Sequence, residues 1–161
     1  MQSDIILQRL RADDPNADAV AAWTFEAWGH LHPGLTLEQA IERLKAECGQ
    51  GGVPSIFVAM QGETPVGTAS LTADDMSIRR EFTPWLASVF VLPEWRGQGI
   101  ASALVRRVEA EAAAHGFERF YLYTPDQQAL YRRLGWEDKE DVEYRKEHVT
   151  VMARQLDKPQ N

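Results

Sequence analysis

The stretch VFVLPEWRGQGIASALVRRVEAEA, Val89 to Ala112, passes from an apolar β-branched segment through Arg96-Gly97-Gln98-Gly99 into an alanine-rich amphipathic pattern. That order predicts a buried strand ending at Leu92, a short loop, and a helix beginning near Ile100. A helix entered this way presents unpaired backbone N–H groups at the positive end of its dipole, which makes an anion site. Gly97 and Gly99 have no Cβ, so the loop can curl and a phosphate oxygen can come close to the amides of Gly97 through Ala101. Arg96 can add a side-chain charge.

Two familiar phosphate binders do not fit. A nucleotide-hydrolase loop needs a Lys and a Ser or Thr directly after its last glycine, and Ile100-Ala101 can do neither job. A dinucleotide fold needs a third glycine at position 102, which is Ser, and repeated βαβ units that the chain lacks. Taken alone, Arg-Gly-x-Gly is equally compatible with a plain surface turn.

Working outward, Ile5–Leu10 suits a first strand, and capping candidates precede a helix over about Ala17–Trp28. Gly29, Pro33 and Gly34 break it. Thr36 and Gln39 stand at capping-box spacing ahead of a second helix carrying Leu37, Ala40, Ile41 and Leu44. SIFVAM (55–60) and PVGTASLT (65–72) flank Gln61-Gly62-Glu63-Thr64 as a hairpin, followed by a polar loop over 73–84. Gly116 ends the central helix, and RFYLYT (119–124) makes another strand. In TPDQQALYRRLGW, Thr124 is expected as N-cap, Pro125 as the first helical residue and Gln127 as the capping-box partner. Two strands are expected in VEYRKEHVTVMARQL (142–156), then a disordered DKPQN. The order describes an α+β fold with one mostly antiparallel sheet.

Bulk properties narrow the function. At 161 residues the chain fits one domain, 1–161 with its core at about 4–156. It is 44% hydrophobic and 25% charged, as in soluble globular proteins, and no apolar stretch approaches the ~20 residues of a membrane span. The amino terminus has no signal-peptide pattern and the single Cys48 can form no internal disulfide, so a reducing cytoplasm is the expected location. A formal charge of −7 disfavours nucleic acid as a partner and mildly attracts a cationic one. No His, Cys or carboxylate cluster has metal spacing, and His30-x-His32 alone is a poor zinc site.

VFVLPEWRGQGIASALV resembles the acyl-CoA-binding signature of the GNAT superfamily of N-acetyltransferases: Arg or Gln, two residues, Gly, one residue, Gly or Ala, matched by Arg96, Gly99 and Ala101. ALYRRLGW (129–136) resembles the family's second hallmark, an aromatic-Tyr pair followed by Leu-Gly-Phe or Trp. The order of elements agrees over roughly residues 4 to 156. The resemblance implies a mixed, mostly antiparallel sheet of six to seven strands flanked by about four helices, with a splayed pair of parallel strands, 85–92 and 120–124, forming the acyl-CoA cleft.

It further implies acetyl-CoA as co-substrate and a primary amine as acceptor, with attack in a ternary complex and without metal. Val89, Phe90 and Val91 would pair with the pantetheine arm, and Arg96, Gly97, Gln98, Gly99, Ile100 and Ala101 would hold the pyrophosphate. A main-chain N–H near Val91 or Leu92 would polarise the thioester carbonyl. Thr124 occupies a position where many members have an Asn that touches pantetheine. Tyr131 matches the Tyr that protonates the departing thiolate. Where many members carry a basic Glu, this chain reads Thr83-Pro84-Trp85-Leu86-Ala87-Ser88, so the base is open among Glu81, Asp74, Asp75, His30, His32 and water.

Trp23, Trp28 and Trp136 are expected in the core, Trp95 beside the loop, and Trp85 in the core or lining the acceptor cleft. Two alternatives stand beside amine acetylation: a catalytically degenerate acyl-CoA-binding regulatory module, and transfer of a longer acyl group or to a hydroxyl. No motif chooses between monomer and homodimer.

Overall fold

Seven strands form one sheet in the computed structural model, which describes residues 4–156; the DKPQN tail lies outside the described residues. In chain order the strands are β1 (Ile5–Arg9), β2 (Ser55–Gln61), β3 (Thr64–Thr72), β4 (Trp85–Val91), β5 (Arg119–Thr124), β6 (Glu137–Tyr144) and β7 (Glu147–Gln155). Across the sheet they run β1-β2-β3-β4-β5-β7-β6, and only β4 and β5 are parallel. The helices are α1 (Ala17–Trp28), α2 (Leu37–Ala46), α3 (Ile100–Ala114) and α4 (Gln128–Arg133). None of the described helices is long and apolar enough to cross a membrane.

The unbroken apolar run of β2 reflects burial on both faces. Phe57 and Ala59 turn toward Leu104 and Val108 of α3, while Ile56, Val58 and Met60 pack with Ala17 and Val20 of α1. That is the period-two alternation of a strand with helices on both sides. Thr36 and Gln39 make the expected reciprocal capping bonds, at 3.1 and 3.0 Å, and so fix where α2 begins. Gly116 takes φ +86° as α3 ends, and the Phe117 N–H returns to the Ala112 carbonyl at 3.2 Å.

Two expectations need correction, and the two places open to Trp85 are reduced to one. The last pair of strands starts at Glu137, five residues before Val142, because EDKEDVEY lacks the β-branched and aromatic density of a buried strand. It pairs with β7 alone and forms the sheet edge, where exposed charges block pairing with another chain. α4 begins at Gln128, not Pro125: the Thr124 Oγ1 accepts from the N–H of Gln127 (3.0 Å) and of Asp126 (3.4 Å), closing a side-chain turn before the helix. Trp85 is fully buried and donates its Nε1–H to the Phe82 carbonyl at 2.6 Å, so it does not line the cleft.

Far from the cleft, α3 is tied to the sheet by a buried carboxylate. Glu111 accepts from the Gly52 N–H (2.7 Å), Arg9 (3.0 Å) and Arg107 (3.0 Å), with His115 Nε2 at 3.2 Å. Both guanidinium groups also lie over the Phe57 ring.

Candidate active site

The cleft arises from a break in sheet pairing. Ser70 pairs with Ala87 and Thr68 with Phe90, so Ser88 and Val89 oppose the single residue Ala69. This β-bulge puts Ser88 at φ +54° and turns β4 away from β5. The two parallel strands are in register only at Trp85 and Tyr121, beyond which a cavity of about 830 Å³ opens between them.

That separation leaves main-chain groups free. The Leu92 N–H donates to the Val66 carbonyl at 2.9 Å, which removes Leu92 as a donor to a ligand. By the alternation of an antiparallel ladder, the N–H of Val91 points the other way, toward the side from which β5 has diverged.

The loop after β4 starts with a 3-10 turn, Pro93–Trp95, and delivers Gly97 at φ +77° and Gly99 at φ +84° to the start of α3. No side chain caps that start, and a Cβ built on either glycine meets no atom within 4 Å. These conformations favour glycine, and the space they leave adjoins the uncapped amides. Arg96 is anchored backward: its Nε donates to the Val91 carbonyl at 2.8 Å and its guanidinium lies 5.5 Å from the Phe90 ring centre. Val89, Phe90, Val91, Arg96, Gly97, Gly99, Ile100, Ala101, Thr124 and Tyr131 all line the large cavity. Gln98 does not.

Tyr131 lies on α4 with 7% of its surface exposed, packed edge-on to Trp136 at 6.0 Å, and its hydroxyl has no hydrogen-bond partner among the described residues. Burial, with a smaller contribution from the Asp126 charge, pushes the phenol up to about 12. It is therefore protonated throughout the physiological range and available as a donor.

A second cavity of about 340 Å³ lies between α1, α2 and the sheet. It shares Trp28, His32, Asp75, Ala87 and Ser88 with the first, so the two cavities meet at the β4 bulge. The five candidate bases separate clearly. Glu81 lines neither cavity, Asp74 only the smaller and His30 only the larger; His32 and Asp75 line both. Burial, then the charges of Arg145 and Arg43, lower the pKa of His32.

Two features of this region had no clear sequence signal. Arg145 and Lys146, at φ +52° and +68°, form a two-residue hairpin turn normally written with Asn or Gly. From it the Arg145 Nη1 donates to the Leu31 carbonyl at 2.8 Å, tying the β6–β7 turn to the α1–α2 connection. The 73–84 loop is in turn fastened by buried Met76, by the Tyr144 hydroxyl on Ser77 (N at 3.1 Å, Oγ at 3.2 Å), and by the Arg79–Glu140 ion pair. Among the described residues no group of three or more His, Cys, Asp or Glu side chains is arranged to hold a metal ion.

Comparison with known proteins agrees with this geometry. Residues 15–136 match the model of the acetyltransferase (GNAT) family. A curated relative, aminoglycoside N(6')-acetyltransferase type 1 from Acinetobacter genomosp. 13, is 36% identical over 69 residues. That match spans 40% of this chain and 47%, about half, of the relative. Among solved structures, an acetyltransferase of the GNAT family from Streptococcus pneumoniae superposes with TM-score 0.71 at 15% identity, over 95% of this chain and 99% of that one. The yncA protein of Salmonella typhimurium, solved with its cofactor acetyl-CoA, superposes with TM-score 0.70 at 18% identity, over 98% and 96% of the two chains. At these identities the two superpositions speak for the fold alone.

Proposed function

Because the chain belongs to the GNAT family of acetyltransferases, we propose that it transfers the acetyl group of acetyl-CoA to a primary amine by direct attack in a ternary complex. The observation that carries this reading is the continuity of the site. A single cleft runs from the uncapped amides of α3, along the unpaired edge of β4, to the Tyr131 hydroxyl and the second cavity.

The residues divide the work along that path. Amides of the Arg96–Ala101 loop receive the pyrophosphate, aided by the helix dipole. Val89 to Val91 pair with the pantetheine arm as an added strand would, and the Val91 N–H faces the thioester carbonyl oxygen, where negative charge develops. Thr124 spends its Oγ1 on the turn before α4, so it contributes to the cleft wall rather than through a free hydroxyl. The Tyr131 phenol donates to the sulfur as the C–S bond breaks. Its raised pKa makes full transfer to an ordinary thiolate uphill, but burial disfavours the anionic sulfur by the same physics. The bond need only strengthen as charge grows.

Thiol release from acetyl-CoA, followed across alkylamines, arylalkylamines, amino acids, aminoglycosides, polyamines and peptide amino termini, tests the reading. Turnover above background hydrolysis with at least one amine is expected. Tight acetyl-CoA binding with no amine acetylated would instead mark a regulatory acyl-CoA-binding module. Faster release with an alcohol than with any amine would move the acceptor to a hydroxyl.

A further inference from the structure

Asp75 is the one candidate carboxylate at the meeting point of the two cavities, and the described residues give it no hydrogen-bond partner, although the Arg145 charge acts on it. No side chain or backbone group among the described residues donates a hydrogen bond to it, although it is largely enclosed. The loop that carries it is held in place by Met76 beneath, by Tyr144 on Ser77 and by the Arg79–Glu140 pair. A rigidly mounted carboxylate with free oxygens at the end of a cleft is a site looking toward a cation.

The neighbouring cavity limits what else the acceptor contains. Its hydrocarbon walls are Val20, Phe25, Trp28, Leu35, Leu44 and Ile56, with the hydroxyl-bearing Thr24, Thr68, Ser70, Thr72 and Ser88 also lining a slot of about 340 Å³ between α1, α2 and the sheet. Of the other acids around it, the Glu47 Oε1 accepts from the Thr72 hydroxyl at 2.6 Å, and Asp74 is exposed. Arg43, also on the wall, opposes a second ammonium. One carboxylate open to a cation, beside the hydrocarbon walls that α1 and α2 give the slot, fits a monoamine with an aryl or alkyl body better than a polycation.

Resting on the acetyl-transfer reading above, we propose that Asp75 is the catalytic base and that the acceptor is a small apolar primary monoamine whose body occupies the slot between α1 and α2. The carboxylate binds the incoming ammonium and takes one proton from it, which later leaves to solvent. The neutral nitrogen lone pair then forms the C–N bond at the thioester carbonyl, and the C–S electrons depart on sulfur. The nitrogen sheds a second proton to solvent as that bond matures, and solvent returns a proton to the Tyr131 oxygen after the phenol has protonated the sulfur, so that one proton is released overall.

The electrostatic setting suits the role. Burial pushes the Asp75 carboxyl up to about 8, opposed by Arg145 on the β6–β7 turn and reinforced by Glu47 at the end of α2. The other titratable groups around it are its neighbour Asp74, His32 after α1, Tyr123 on β5 and Glu147 on β7. A base with a pKa near the working pH combines a useful ionised fraction with a useful affinity for the proton. His32, whose protonation is disfavoured by burial and then by the charges of Arg145 and Arg43, is the weaker base.

The test compares 2-phenylethylamine, spermidine and kanamycin as acceptors for the full chain, its Asp75→Asn and His32→Ala variants, with acetyl-CoA binding measured in parallel. The proposal expects 2-phenylethylamine to give the highest kcat/KM. It expects Asp75→Asn to lower kcat for that amine by roughly 100-fold or more, a general-base effect, with acetyl-CoA Kd within about twofold. The limb of the kcat/KM profile that rises with pH through about 8 should be lost in Asp75→Asn and kept in His32→Ala. A loss below about threefold in Asp75→Asn, a larger loss in His32→Ala, or a preference for spermidine or kanamycin would overturn it while leaving acetyl transfer intact. No turnover with any amine beside normal acetyl-CoA binding would overturn both.

Discussion

The Arg96 Nε donates to the Val91 carbonyl oxygen at 2.8 Å, joining the residue that opens the glycine loop to the last residue of β4. One guanidinium thus sets the distance between the proposed phosphate cradle and the proposed thioester-facing amide. Its remaining N–H groups still carry full positive charge beside the cradle.

Replacing Arg96 by Ala should therefore weaken acetyl-CoA binding by roughly 10- to 100-fold, the worth of about 1.5–3 kcal/mol for a charge-assisted hydrogen bond. Arg96→Lys should recover only part of this, because the ammonium cannot reproduce the Nε–H bond and the stacking on Phe90. Calorimetric titration with acetyl-CoA checks both, and unchanged affinity in Arg96→Ala would remove the residue from the donor site.

Gly99 adopts φ +84° with open space where a Cβ would go. Gly99→Leu should then cost the fold only about 1–2 kcal/mol of backbone strain while projecting a side chain at the uncapped α3 amides. Loss of acetyl-CoA binding with a cooperative thermal transition kept is the expected pair of results. Retained binding would refute the loop assignment.

Tyr131→Phe should lower kcat by about 10²-fold, within the usual range for a general acid, and leave acetyl-CoA affinity nearly unchanged. Stopped-flow turnover with equilibrium binding separates the two quantities. An equal loss in both would mark Tyr131 as a packing residue.

Stability should fall at low pH because of Glu111. Its burial alone would raise the carboxyl, but the Gly52 N–H, Arg9 and Arg107 outweigh that and hold it at about 2, below the ordinary 4.5. A depressed folded-state pKa stabilises above the unfolded value and is lost as pH falls toward the folded one, so the decline belongs between about 4.5 and 2. The shift corresponds to about 3 kcal/mol. Glu111→Gln should be destabilised at pH 7 and show a flatter denaturation midpoint over that interval; a wild-type profile as steep in the variant would assign the acid sensitivity elsewhere.

Much of this protein is legible in one dimension. The Val89–Ala112 stretch carries a period-two run, a glycine loop and a 3.6-residue repeat in immediate succession, and each is a local property of the chain. The capping box at Thr36 and Gln39 and the Gly116 stop are local in the same way, and all three appear where the sequence puts them. The acidic β6 was hard to see because an edge strand is stabilised by its neighbour's backbone more than by its own side chains.

The acceptor side was open for a related reason. Nothing near Asp75 in the sequence distinguishes it from Asp74 or Glu81, since all three sit in one polar loop. What separates them is Met76 pulling the loop into the core, Tyr144 holding Ser77 from another strand, and the β4 bulge opening opposite. The sequence by itself determined most of the elements, the glycine turn ahead of α3 and the family, because these rest on residue order over a few turns of chain. Only the tertiary structure decided which carboxylate meets the cleft, which backbone N–H is free and which tryptophan is buried, because each depends on contacts between segments tens of residues apart.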